Sequence, residues 1–358
     1  IQEYNRQTES RRTRKTYFTG DEREISLMAL DLDSYTDIII NRTEYTLTGN
    51  KNYTSEMAVR TKDNIDCRLN LVDITVQNDN AGASITVGQN STMTLNIIGE
   101  VALTGGISVP IGSTLKIIGD GALHINSTSN QTYAIGSGCT MPYGNIDICT
   151  NSGIYIHLDS EKSVAIGGRS NEGSSYIRIR CKELIIEQMG KKTLGIGSLL
   201  SGADIEIDGT RFTIEHHSKT ALGIGSYSDP CNISIRNGCA KFKMSGDKVG
   251  GIGSFNSSGG SIEMADVRIN TEFKAKEILC IGADKSFGSI TMNDCTFDSL
   301  IEGAESVVLG SADCEGTLSM SMCSGTILVR SSVKTLLGVN PENLISDHCV
   351  GLQFVENE

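Results

Sequence analysis

Two glutamates, Glu206 and Glu263, occupy the same place in two copies of one short pattern, Ile205-Glu206-Ile207 and Ile262-Glu263-Met264. Hydrolysis of a glycosidic bond uses paired carboxyl groups, one to protonate the leaving oxygen and one to activate water. The pattern returns as Ile146-Asp147-Ile148, Ile177-Arg178-Ile179, Ile233-Ser234-Ile235, Ile290-Thr291-Met292 and Leu318-Ser319-Met320. Apolar, polar, apolar is strand periodicity: both aliphatics face one side and the middle residue faces the other. If successive copies stack as strands, Glu206 and Glu263 lie two rungs apart, about 10 Å, with Ser234 between them. That is near the upper end for an inverting carboxylate pair. The same alternation places polar residues on any wetted sheet face, so catalysis and plain solvation are both open.

A second group has the residue types of a saccharide site. Tyr227, Phe255 and Phe287 follow equivalent corners of consecutive repeats, so their rings are expected along one edge, with Asp229, Asn256 and Asp284 beside them to bind hydroxyls. The competing expectation is that the rings cover inserted loops as a small satellite core. Tryptophan is absent and aromatics make up 5% of the chain, which weakens a stacking platform.

Other chemistry is sparse. Asp31 and Asp33 alternate, but no EF-hand or Asp-rich nonapeptide follows them. No metal site or cofactor is therefore assigned, with calcium the one ion left open. His216 and His217 are adjacent on a strand and must face opposite ways, which makes them a poor chelating pair. The eleven cysteines contain none of the close pairs typical of zinc sites. Five of them (Cys149, Cys181, Cys239, Cys295 and Cys323) fall 14 or 15 residues after one repeated aliphatic. They are expected as a buried ladder of thiols. The alternative is bridging of Cys149 to Cys181 or Cys295 to Cys323, where geometry permits.

The elements that must position these residues are repeats. A corner phrase occurs eight times, centred on Ile135, Ile166, Ile196, Ile224, Ile252, Ile281, Leu309 and Leu337, at spacings of 31, 30, 28, 28, 29, 28 and 28 residues. Near-constant spacing marks one structural unit stacked on itself, each burying its apolar face against its neighbours. The Ile-x-Ile strand follows each phrase, then a turn such as Asp208-Gly209 or Asn237-Gly238, then a third apolar segment such as Phe212 to Ile214. Residues 85–133 carry a shorter version of about 22 residues per unit. The sequence thus predicts an all-β chain, a single-stranded right-handed parallel β-helix (β-solenoid) with three strands per coil and ten or more coils. A leucine-rich horseshoe lacks its Leu/Asn consensus here. The glycine of each phrase is expected at a corner where φ is positive. The repeat texture gives one elongated domain over residues 25–358, capped by 25–60 and 340–358, with 1–24 as a polar arm or linker.

A net charge of −12 argues against nucleic acid, whose phosphates demand clustered Lys and Arg. No apolar run approaches membrane-spanning length, so no membrane insertion is expected.

The succession of an Ile-Gly-Ser or Gly-Ile-Gly corner, a Gly/Ser-rich loop, an Ile-x-Ile strand and an Asn-Gly or Asp-Gly turn resembles the Gly-Ile-Gly repeats of large bacterial extracellular proteins. The resemblance covers roughly residues 134–340 and, more loosely, 85–133. It implies a pectate-lyase-like parallel β-helix at the cell surface or outside the cell, engaged in carbohydrate binding or adhesion. The partner would be a polysaccharide or a host or microbial surface glycan. The sequence departs from that family in its shorter loops and in the leucines that replace isoleucine at 309 and 337. A polysaccharide lyase or glycoside hydrolase on the same scaffold, using Glu206 and Glu263, is the alternative. A structural stalk is a further one.

Overall fold

A computed structural model describes residues 15–18, 24–26, 36–41, 43–49, 54–78, 82–128, 131–170, 175–255, 260–349 and 351–356. Every ladder between its named strands is parallel, and the chain coils through about ten turns. Each turn contributes one strand to each of three sheets. The first sheet carries the Ile-Gly corner phrases, the second the Ile-x-Ile pattern and the third the segment after the turn.

Register follows the apolar columns. In the first sheet Ile85, Ile107, Ile135, Ile166, Ile196, Ile224, Ile252, Ile281, Leu309 and Leu337 pair in succession. In the second sheet the column runs Leu69, Leu95, Ile117, Ile148, Ile179, Ile207, Ile235, Met264, Met292 and Met320. In the third, Leu184, Phe212, Ala240, Ile269 and Phe297 stack. Ala240 leaves space that Phe242, two residues on, occupies in edge-to-face contact with Phe212 at 5.8 Å. Almost all these side chains are buried. A one-residue slip would turn a whole column outward, so burial itself fixes the register.

Two kinds of corner bend the strands. Between second and third sheets a residue in left-handed backbone starts the turn: Gly209, Asn237, Asp266, Asp294, Met322 and His348 have φ between 51° and 62°. Within the first sheet, Gly197, Gly225 and Gly253 have φ of 134–135°, a region closed to side chains. The corners between third and first sheets are gentle enough that Asn232–Ser254 and Ser261–Ala283 run unbroken through all three sheets. The ladder continues into both expected caps: Thr36–Ile40 and Glu44–Thr48 at one end, Leu344–Asp347 and Gly351–Glu356 at the other. Within the expected arm, Lys15–Phe18 pairs with Thr36–Ile40.

Candidate functional site

Glu206, Ser234 and Glu263 lie directly above one another on the outer face of the second sheet, as their spacing predicts. Asp147 and Arg178 continue the same column. Tyr176, Asp204, Asn232 and Ser261 form a parallel column on one flank. On the other flank Arg180 stands beside Asp208 at 2.8 Å. Two contiguous grooves follow these columns. One, of about 250 Å³, runs past Tyr176, Glu206, Ser234 and Glu263. The other, of about 270 Å³, runs past Asp147, Cys149, Arg180 and Asp208, and the two share Arg178 and Glu206.

Glu206, Glu263, Asp204 and Asp208 are already engaged. Arg178 Nε lies 3.2 Å from Glu206 Oε2, and Arg236 lies 3.2 Å from Glu263 Oε2. Arg178 also lies 4.3 Å above the Tyr176 ring. Asn232 donates to Asp204 at 2.8 Å and accepts from Ser261 at 3.1 Å. The hydrogen bond from Asn237 and then the Arg180 contact hold the Asp208 carboxyl below its usual range. The result is a row of ordered donors and acceptors, suited to binding hydroxyls. Among the described residues of this strip, no carboxyl group is enclosed in an apolar pocket as a general acid would be.

At the first-sheet edge the structure corrects the expected saccharide edge and shows the competing satellite core for Tyr227 and Phe255. Tyr227, Phe255 and Phe287 are all buried, so they offer no stacking platform. The reason is the outward column of the first sheet, where Val164, Leu194, Leu222 and Leu279 stand with Gly250 in line. The loops after the corners fold back over this apolar column, and Leu199, Tyr227 and Phe255 roof it as a satellite core. The Phe255 ring fills the space that a side chain at Gly250 would need. Tyr227 and Phe255 meet edge to face at 5.3 Å, and Lys192 lies 4.0 Å over the Tyr227 ring. Phe287 instead turns into the main core. An apolar outward column where polar residues belong was the sequence signal for a cover.

The Tyr227 hydroxyl donates to the carbonyls of Thr193 at 2.8 Å and Thr220 at 3.1 Å, tying the roof to two turns. Tyr227→Phe is expected to cost about 1–2 kcal/mol, since it strips buried carbonyls of a donor. Denaturant midpoints of the two proteins measure it. Asp229 is exposed on this edge, whereas Asn256 lies outside the described residues. Asp284 pairs with Lys248, which also reaches Glu277 at 3.4 Å. Where the roof ends, a cavity of about 320 Å³ opens over Leu279 and Val307, bordered by these charged groups.

Asp31 and Asp33 lie outside the described residues. Among the described residues, no group of three or more His, Cys, Asp or Glu is gathered to hold a metal ion. His216 is fully buried and His217 points out to Glu215 at 3.0 Å, the opposed facing their adjacency requires. The five-cysteine ladder is corrected: Cys149 is exposed and pairs with Arg180, and Cys239 pairs with Arg211 and Arg268. Only Cys295 and Cys323 keep a common buried place, and Cys349 joins them. All eleven cysteines are free thiols.

No family model, curated protein or solved structure matches the chain. The class of protein is set by the fold itself, a three-sheet parallel β-solenoid.

Proposed function

We propose that this solenoid is a non-catalytic carbohydrate-binding or adhesive module, acting outside the cell or at its surface, that holds a polysaccharide or surface glycan along the outer face of its second sheet. The observation that carries this reading is the pair of contiguous grooves sharing Arg178 and Glu206. In them guanidinium, carboxylate, amide and hydroxyl groups repeat at the rung spacing, the mix that recognises successive sugar hydroxyls. The arginine partners of Glu206 and Glu263 favour binding over acid–base catalysis. A chain carrying −12 net charge disfavours polyanionic glycans, so neutral or amine-bearing ones fit better.

Titration calorimetry against plant, microbial and host glycans tests the proposal. The double variant Glu206→Gln with Glu263→Gln is expected to weaken binding at least about tenfold, a loss of about 1.4 kcal/mol. Ser234→Trp, which fills the groove and leaves both carboxylates in place, should do the same. Lys241→Ala on the third sheet should not. Unchanged affinity in both groove variants would exclude the strip as the site, and release of reducing ends would replace the binding module with a hydrolase.

A further inference from the structure

Cys295, Cys323 and Cys349 stand on three successive turns, each just after a residue in left-handed backbone (Asp294, Met322 and His348). The ladder pairs Thr296 with Ser324, and the Ser324 amide donates to the Cys295 carbonyl at 2.9 Å, which sets Cys295 and Cys323 one rung apart. On the far side the Met322 amide donates to the Asp347 carbonyl at 2.9 Å and brings Cys349 beside Cys323. Each thiol donates to the carbonyl two residues before it, Cys295 to Asn293 at 3.5 Å, Cys323 to Ser321 at 3.5 Å and Cys349 to Asp347 at 3.4 Å, so the three side chains share one orientation at the corner. Rungs lie about 4.8 Å apart, inside the Cα separation a disulfide spans. Cys295 and Cys323 are buried, and Cys349 is half-exposed.

We propose that these three thiols are a redox-modification site, in which Cys323 forms a disulfide with Cys349 or Cys295 and so staples neighbouring turns at the C-terminal end of the solenoid. The inference is independent of the carbohydrate reading. Three sulfurs in a column supply the attacking, central and leaving positions of thiol–disulfide exchange. The oxidant is a low-molecular-weight disulfide, RSSR. The half-exposed Cys349 attacks one sulfur of RSSR as thiolate and releases RS⁻, which takes up the proton Cys349 gave up. Cys323, as thiolate, then attacks the Cys349 sulfur of the mixed disulfide and expels the second RS⁻, which is protonated in turn. Overall, two cysteine thiols and RSSR become one protein disulfide and two RSH. Exchange with Cys295 moves the bond one rung inward and leaves Cys349 reduced. Contact with the Cys295 sulfur holds the Cys323 thiol below the usual range and favours its thiolate, the nucleophile in the second step.

The full-length folded chain is equilibrated with oxidised glutathione, alkylated under denaturing conditions, digested and mapped by mass spectrometry. The expected result is two fewer alkylatable thiols than the eleven, with Cys323 cross-linked to Cys349 or Cys295 and reversal by dithiothreitol. Cys349→Ser should slow the reaction at least about tenfold by removing the accessible thiol, while Cys239→Ser should not change it. Eleven alkylatable thiols, or glutathione stably retained on Cys349 without a cross-link, would overturn the proposal. The measurement on the unsubstituted protein stands whether or not either variant folds.

Discussion

Gly225→Ala is expected to destabilise the solenoid by at least about 4 kcal/mol, enough to remove most soluble protein from expression. Gly225 has φ of 134°, and an added Cβ would overlap the backbone carbonyl of Gly253 on the next turn. Gly253 stands in the same relation to Gly282, so the obstruction is rigid main chain and cannot turn aside as a side chain can. Gly209 separates backbone strain from collision. Its φ is 62°, yet a Cβ there meets nothing within 4 Å, so Gly209→Ala should cost only about 1 kcal/mol. Guanidinium midpoints of the two variants compare them directly. If Gly225→Ala proved as mild as Gly209→Ala, the close approach of successive glycine carbonyls would be refuted.

Acidification should weaken the fold through His216. Burial drives its pKa down to about 3 from the ordinary 6.5, with a smaller push from the His217 charge. Its Nδ1 faces the Thr193 hydroxyl at 3.2 Å, that hydroxyl donates to Ser218 at 3.0 Å, and Nε2 has no partner. The imidazole is therefore neutral in the folded protein, and below pH 6.5 the unfolded chain binds a proton that the folded chain refuses. The stability at stake is fully present above pH 6.5 and drains away as pH falls toward 3. At pH 4.5 the loss is on the order of 3 kcal/mol, from two pH units at about 1.36 kcal/mol each. Urea unfolding at pH 7.5 and 4.5 should resolve that difference. His216→Met, which installs the residue that Met244 supplies one turn on, should abolish this part of it. An unaltered pH dependence in that variant would show that other groups carry the acid sensitivity.

The coil and its register were readable because every column is apolar and the spacing between corner phrases barely drifts. The 22-residue early units read equally well, since Met93 and Leu115 pair at that separation. Cysteine placement failed for a physical reason. Accepting either 14 or 15 residues from the corner admits a slip of one, and one residue on a strand exchanges inside for outside. That slip leaves Cys149 exposed while Cys181 is buried. The aromatic edge failed differently. Spacing placed Tyr227 and Phe255 after equivalent corners and left open whether their rings line a saccharide edge or cover the loops as a satellite core. The outward Leu194, Leu222 and Leu279 carried that information. Of the nominated site residues, Glu206 and Glu263 were placed correctly on one face, because period two settles facing. Of their arginine partners, Arg178 stands next to Glu206 in the same column, whereas Arg236 pairs with Asp208 and Ala265 in the register, diagonal to Glu263.

Loop length varies from turn to turn while the columns stay aligned, so axial position depends only on how many turns separate two residues. Each turn advances by the hydrogen-bonded strand spacing of about 4.8 Å whatever its loops contain. The molecule is thereby a graduated ruler. A gain or loss of one whole repeat would lengthen or shorten its track by a single division, leaving the graduation untouched and the surfaces on either side of the splice intact.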